Sequence, residues 1–122
     1  MLQLDHRGGR PIYEQVQEGL RRLLVTGAIA PGEKLPSVRQ LAGELAINPN
    51  TIQRAYEALE KEGYVYSVPG KGSFAALGED IISRRREELF AQLDALAADL
   101  RELGVTEEEL AARLTRRKEE QK

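Results

Sequence analysis

Apolar residues recur at helical spacing from Pro11 onward. Ile12, Val16, Leu20, Leu23 and Leu24 fall on one side of a first helix. Gly27 and the Ala30-Pro31-Gly32 turn end it, and residues 33–37 read as a short extended piece. Val38, Leu41, Ala42 and Leu45 form the stripe of a second helix, which leaves Arg39 pointing outward. Ser37 is placed to cap that helix, with Gln40 three residues on as a capping box. A third stripe follows in Ile52, Ala55, Tyr56 and Leu59. Its start is chemically sharp. The Asn48 side chain can accept from a free N–H of the first turn, and Pro49 at the first helical position loses nothing by lacking a donor. Ile47 and Ile52 stand where a hydrophobic staple would place them. Gly63 ends the helix. Residues 64–68 and 73–76 alternate as strands, joined by Pro-Gly-Lys-Gly (69–72) as a hairpin turn.

The outer face of the third helix carries Asn50, Gln53 and Arg54 in its first two turns, with Thr51 at the edge. These groups are neutral or cationic and can bond to bases or phosphates. The positive end of the helix dipole lies beside them, which suits a DNA groove. An ordinary capped surface helix would show the same residue types. The order of elements is more specific. Two short helices across a brief turn, followed by a hairpin, match a winged helix-turn-helix.

After Ala76 the pattern changes. Ile82, Arg86, Leu89, Leu93, Leu96, Leu100 and Leu103 alternate spacings of four and three, an a/d seam with a polar interruption at Arg86. Gly104 stops this helix, and Thr106 with Glu109 forms a capping box for another that carries Leu110 and Leu114. The helical hairpin has too few apolar residues to stand alone. Either it pairs with a second copy through Ile82, Leu89, Leu93, Leu96, Leu100 and Leu103, or it folds back on its own winged helix. The sustained seam points to pairing between copies. The expected fold is therefore mostly α with a small β-hairpin. Residues 1–10 form a polar, mobile arm, 11–76 a winged helix-turn-helix, and 77–122 a helical dimerisation tail.

Charge and composition narrow the function. The net charge of −2 is unlike that of a strongly basic nucleic-acid binder. It is unevenly spread, however. Residues 1–76 hold 9 Lys+Arg against 8 Asp+Glu, and residues 77–122 hold 9 against 12, so the acidic excess belongs to the tail. The 122 residues contain no cysteine, which excludes disulfides and thiolate metal sites and fits a cytoplasmic protein. No apolar run reaches membrane-spanning length.

Three stretches together carry a resemblance. The first is Gly27, Ile29, Pro31, Gly32, Leu35, Pro36, Ser37, Arg39, Leu41 and Ala42. The second is "NPNTIQRAYEALEKEGY" (48–64), and the third is "PGKGSF" (69–74). Over residues 10–75 the chain resembles the DNA-binding head of the GntR family of bacterial transcription regulators. Its short helical tail resembles the YtrA subfamily, in which two helices serve dimerisation. The second stretch also resembles MocR-type members, whose fused aminotransferase-like domain could not fit in this length. The resemblance implies DNA contact by Arg39, major-groove reading by Asn50, Thr51 and Arg54, and approach of Gly70, Lys71 and Gly72 to the minor groove. Pro49 and Gln53 stand where many members carry arginine, so base preference does not transfer from those members.

The remaining features suggest no chemistry. "GKGS" (70–73) lacks the spacing and the following helix of a phosphate-binding loop. His6 has no ligands around it in sequence. Arg84 and Arg85 read as a solvated helix face, and the tail carboxylates lack pocket-forming neighbours. The expectation is a non-enzymatic homodimeric regulator, a repressor, on a two-fold DNA operator. It has no cofactor, no metal and no catalytic residue, and a small effector would bind between domains or at the dimer interface. The other reading is a winged-helix module that binds protein through its tail.

Overall fold

The architecture is taken from a computed structural model that describes residues 2–76 and 78–120. Met1, Leu77, Gln121 and Lys122, which the expected arm and tail include, lie outside the described residues. The elements are α1 (Ile12–Thr26), α2 (Val38–Leu45), α3 (Pro49–Glu62), β1 (Val65–Val68), β2 (Gly72–Ala75), α4 (Gly78–Glu102) and α5 (Glu107–Glu120). They divide into two compact units, residues 1–85 and 86–122.

The first unit has one core. Val16, Leu20 and Leu24 of α1, Leu41 and Ala42 of α2, and Ile52, Ala55, Tyr56 and Leu59 of α3 are all buried. Each stripe is the one its helical period predicts. β1 and β2 pair antiparallel, with Val65 opposite Ala75 and Tyr66 opposite Phe74. Val65 and Ala75 face the core, while Tyr66 and Phe74 stack on the other face, ring centroids 5.6 Å apart. The extended piece before α2 adds a third edge to this ribbon. Ala75 N–H donates to Glu33 O at 2.8 Å and Leu35 N–H to Ser73 O at 2.8 Å, around a Lys34–Phe74 bridge.

Two expectations need correction. The N-terminal arm, expected to be mobile, is laid along α1. Leu2 and Leu4 pack against the core cluster, and a Cβ on Gly19 would collide with the Leu2 methyl. The Gln15 side chain bonds both backbone groups of Asp5, at 2.7 and 2.8 Å, and Arg10 pairs with Glu18. The head also extends past Ala76. Ile81, in the first turn of α4, is only 1% exposed and belongs to the core cluster. Its neighbour Ile82 is 43% exposed. Adjacent positions on a helix differ by about 100°, so one isoleucine anchors α4 to the head while the other joins the outer stripe.

In the second unit, α4 closes with the αL residue Gly104. Val105 N–H donates to Leu100 O at 3.0 Å and Gly104 N–H to Arg101 O at 3.0 Å. Thr106 and Glu109 form the capping box in both directions, at 3.2 and 3.3 Å.

The turn between α2 and α3 carries a strained residue. Ala46 has φ 56°, a left-handed conformation, and closes α2 as Ile47 N–H donates to Ala42 O at 3.0 Å. An L-residue there costs about 1–2 kcal/mol, which glycine avoids at some entropic cost. Ala46→Gly is therefore expected to stabilise the protein by about 0.5–1 kcal/mol, read as a higher urea midpoint at unchanged slope. A lower midpoint would show that the turn is not strained.

Candidate nucleic-acid interface

The site is built around the N-terminal end of α3. The Asn48 side chain accepts from Asn50 N–H at 2.8 Å, and Pro49 follows at the first position. The buried stripe starts at Ile52, so Asn50, Gln53 and Arg54 must face away from the core, and all three are exposed. Thr51 is half-buried at the edge. α3 ends as firmly as it begins. Gly63 takes φ 88°, and Tyr64 N–H donates to Leu59 O at 2.9 Å, with both of those side chains fully buried.

α2 supplies the next cation. Ser37 Oγ accepts from Gln40 N–H at 3.0 Å, which starts the helix and leaves Arg39 exposed. Only this half of the expected capping box forms, because the Gln40 amide turns to Glu44 on the next turn, at 3.5 Å. The Tyr56 hydroxyl donates to Pro36 O at 2.7 Å and so ties the start of α2 to the middle of α3. Burial pushes that hydroxyl up to about 12, and the charge of Glu44 adds to the shift.

The hairpin turn is a type II turn. Lys71 N–H donates to Val68 O at 2.9 Å, with Pro69 at the second position and Gly70 at φ 76° at the third. Lys71 is exposed at the tip. The Lys34 side chain lies across Gly72, where an added Cβ would sit 3.0 Å from its Cε. The sequence reading did not single out Lys34, because the link runs through backbone pairing of residues 33–35 with β2.

Tyr13 was missed as well. The Arg54 guanidinium lies over its ring, 3.6 Å from the centroid. Nearby, Arg21 pairs with Glu62 at 3.1 Å and Gln17 bonds the same carboxylate at 2.6 Å, so α1 grips the far end of α3. Arg84 passes over Gly63 and is exposed, while Arg85 is half-buried and so less solvated than expected. Among the described residues, no group of three His, Asp or Glu side chains could hold a metal ion. No helix among them is long and apolar enough to cross a membrane.

A second helix with an exposed arginine, a capped third helix with polar groups at its start, and a lysine-tipped hairpin make a winged helix-turn-helix. The signature of "Bacterial regulatory proteins, gntR family" matches residues 12–75, more than half of the chain. The chain belongs to the GntR family.

Over 112 residues it is 37% identical to the HTH-type transcriptional repressor YtrA of Bacillus subtilis, covering 90% of this chain and 86% of that protein. A GntR-family transcriptional regulator from Listeria monocytogenes superposes with a TM-score of 0.72 at 33% identity, over 93% of this chain and 98% of the other. The DNA-binding domain of AraR, crystallised with operator ORE1, aligns with 62% of this chain and 93% of its own length, at a TM-score of 0.54 and 32% identity. The protein is thus a transcription regulator of the GntR family and not an enzyme. Of the residues expected at the GntR DNA interface, Arg39, Asn50, Gln53, Arg54, Gly70, Lys71 and Gly72 are exposed and Thr51 is half-buried.

The Tyr56 hydrogen bond gives a pH-dependent test. Tyr56→Phe leaves the Pro36 carbonyl without its donor and is expected to cost about 1–2 kcal/mol near neutral pH. The raised group stabilises the fold fully below pH 10, and this contribution is lost as pH rises towards 12. The stability gap between wild type and Tyr56→Phe, measured by urea unfolding, should therefore shrink from pH 10 to pH 12. A gap that stays constant would mean the hydroxyl is not buried in solution.

Proposed function

We propose that this regulator is a repressor that binds a two-fold DNA operator as a homodimer. The observation that supports it most is the uncommitted start of α3. Asn50 and Arg54 are exposed there, beside the positive end of the α3 dipole, and Arg39 is exposed on α2. In this reading Arg39, Asn50, Thr51, Gln53 and Arg54 meet the major groove, and Gly70, Lys71 and Gly72 approach the minor groove. The Gln53 amide is bonded to Glu57 at 3.0 Å, so it must give up that bond to reach a base. The relatives named as repressors, and the AraR domain with its operator, support the same direction.

The tail would supply the two-fold symmetry. Leu89, Leu93, Leu96, Leu100 and Leu103 are between 39% and 80% exposed, and Phe90, which the seam spacing omits, is 58% exposed. A second copy would present the same stripe and cover both, as an isologous interface requires. Burying one leucine contributes about 1.5–3 kcal/mol, so several can offset the entropy of association. Ile82 would extend the stripe towards the head. A small effector, if this regulator has one, would sit between domains or at that interface.

Arg39→Ala and Arg54→Ala are each expected to weaken operator binding by about 1–3 kcal/mol and to relax sequence preference. Lys71→Ala should weaken operator and random DNA alike and lower the salt slope by about one. Fluorescence anisotropy on duplexes at several salt concentrations reads all three. An Arg54→Ala protein with wild-type affinity and preference would contradict the assignment.

The dimer has its own test. Leu93→Asp puts a charge in the proposed seam, about three turns along α4 from Ile81. It should convert a dimer to a folded monomer and weaken operator binding at least about a hundredfold, since the two heads no longer act together. Solution mass and binding are measured on the same sample. A wild-type protein that stays monomeric at high micromolar concentration would rule out the seam.

A further inference from the structure

The stack of Arg54 on Tyr13 joins two elements that have separate jobs. Tyr13 belongs to the first turn of α1, the helix that buries Val16, Leu20 and Leu24 in the core and holds Glu62 through Gln17 and Arg21. Arg54 belongs to the second turn of α3 and has an exposed side chain. The Arg54 Cζ lies over the ring, 3.6 Å from its centroid, and a guanidinium held over a ring in this way keeps N–H donors free at its edges. Among the described residues Arg54 makes no ion pair, although two carboxylates are close in sequence to the pair. Glu57 lies one turn along α3, where it could capture Arg54. Its Oε1 instead accepts from the Gln53 amide at 3.0 Å. Glu14 follows Tyr13 and accepts from the Tyr13 hydroxyl at 3.4 Å. The arginine is thus held by its face while every donor it has remains unspent.

We propose that Tyr13 is a positioning residue that sets the sequence discrimination of Arg54. This rests on the reading of α3 as the DNA-reading helix. An unrestrained arginine on a helix surface must give up rotamer freedom when it meets a base, and it must lose water from both faces. The Tyr13 ring has already removed water from one face and narrowed the rotamers. The gain falls on contacts that need a fixed fork, those to a base edge. Contacts to phosphate tolerate many orientations and gain little. Tyr13 therefore acts on specificity more than on overall affinity, and it does so through its ring and not its hydroxyl.

The test uses the full chain and two duplexes: one recovered by in vitro selection with the wild-type protein, and a shuffled duplex of the same composition. Tyr13→Phe should keep wild-type discrimination within about twofold, because the ring remains. Tyr13→Leu keeps apolar bulk against α1 without a π face. It should lose about three- to tenfold in preference for the selected duplex, with binding to the shuffled one unchanged. In an Arg54→Ala background, Tyr13→Leu should cause no further loss of preference, as a coupled pair requires. Proton NMR gives a readout independent of DNA. The Arg54 side-chain methylenes should be shifted upfield by the ring in wild type and Tyr13→Phe, and not in Tyr13→Leu. Wild-type discrimination in Tyr13→Leu, or a loss that persists without Arg54, would overturn the proposal while leaving α3 as the reader. A wild-type chain that selects no duplex would overturn the DNA reading itself, and the NMR shift would still report whether the stack exists.

Discussion

The hydrogen bond from the Tyr56 hydroxyl to the Pro36 carbonyl is the constraint on which the outer surface depends. Tyr56 sits in the buried stripe of α3, and Pro36 directly precedes the cap of α2. Two neighbouring chain segments must therefore hold one fixed relation before Arg39 and Asn50 can face the same side. The hydroxyl is desolvated, so breaking this bond would strand a buried donor. The same extended segment is held from its other side by β2, through Glu33 and Leu35. The helix-turn-helix and the wing are thus linked through residues 33–37, and Lys34 reaches Gly72 because of that link.

α3 is bounded chemically at both ends and gripped along one side. Asn48 and Pro49 define its start, Gly63 and the buried Leu59–Tyr64 pair its end. Glu62, held by Gln17 and Arg21, ties its last turn to α1. Little freedom is left for the helix to rotate, and this makes the exposed positions at its start a defined pattern. Tyr13 extends the same logic from backbone to side chain.

Local chemistry was legible in the sequence, and pairings between distant segments were not. The caps at Ser37, Asn48 and Thr106, the apolar stripes and the turn around Gly70 all depend on residues within a few positions of each other. The Tyr13–Arg54 stack joins the first helix of the head to the third, and no periodicity signals it. Docking of the arm depends on Gly19 leaving room for Leu2, a vacancy visible only once α1 is placed. Ile81 and Ile82 show a subtler limit. Ile82 is exposed, but the 4-3 spacing could not tell that its neighbour Ile81 completes the core of the head. Gln40 had the right spacing for a capping box, and a competing partner at Glu44 took its amide.

The central claim is that two copies of this start of α3 read DNA together through the symmetry of the tail. Selection of bound duplexes from a random pool by the full-length chain tests it most directly. The account predicts an inverted repeat with half-sites one helical turn or a multiple apart, bound with an affinity that falls steeply with salt. Enrichment of a single unrepeated site, or of no sequence at all, would contradict it.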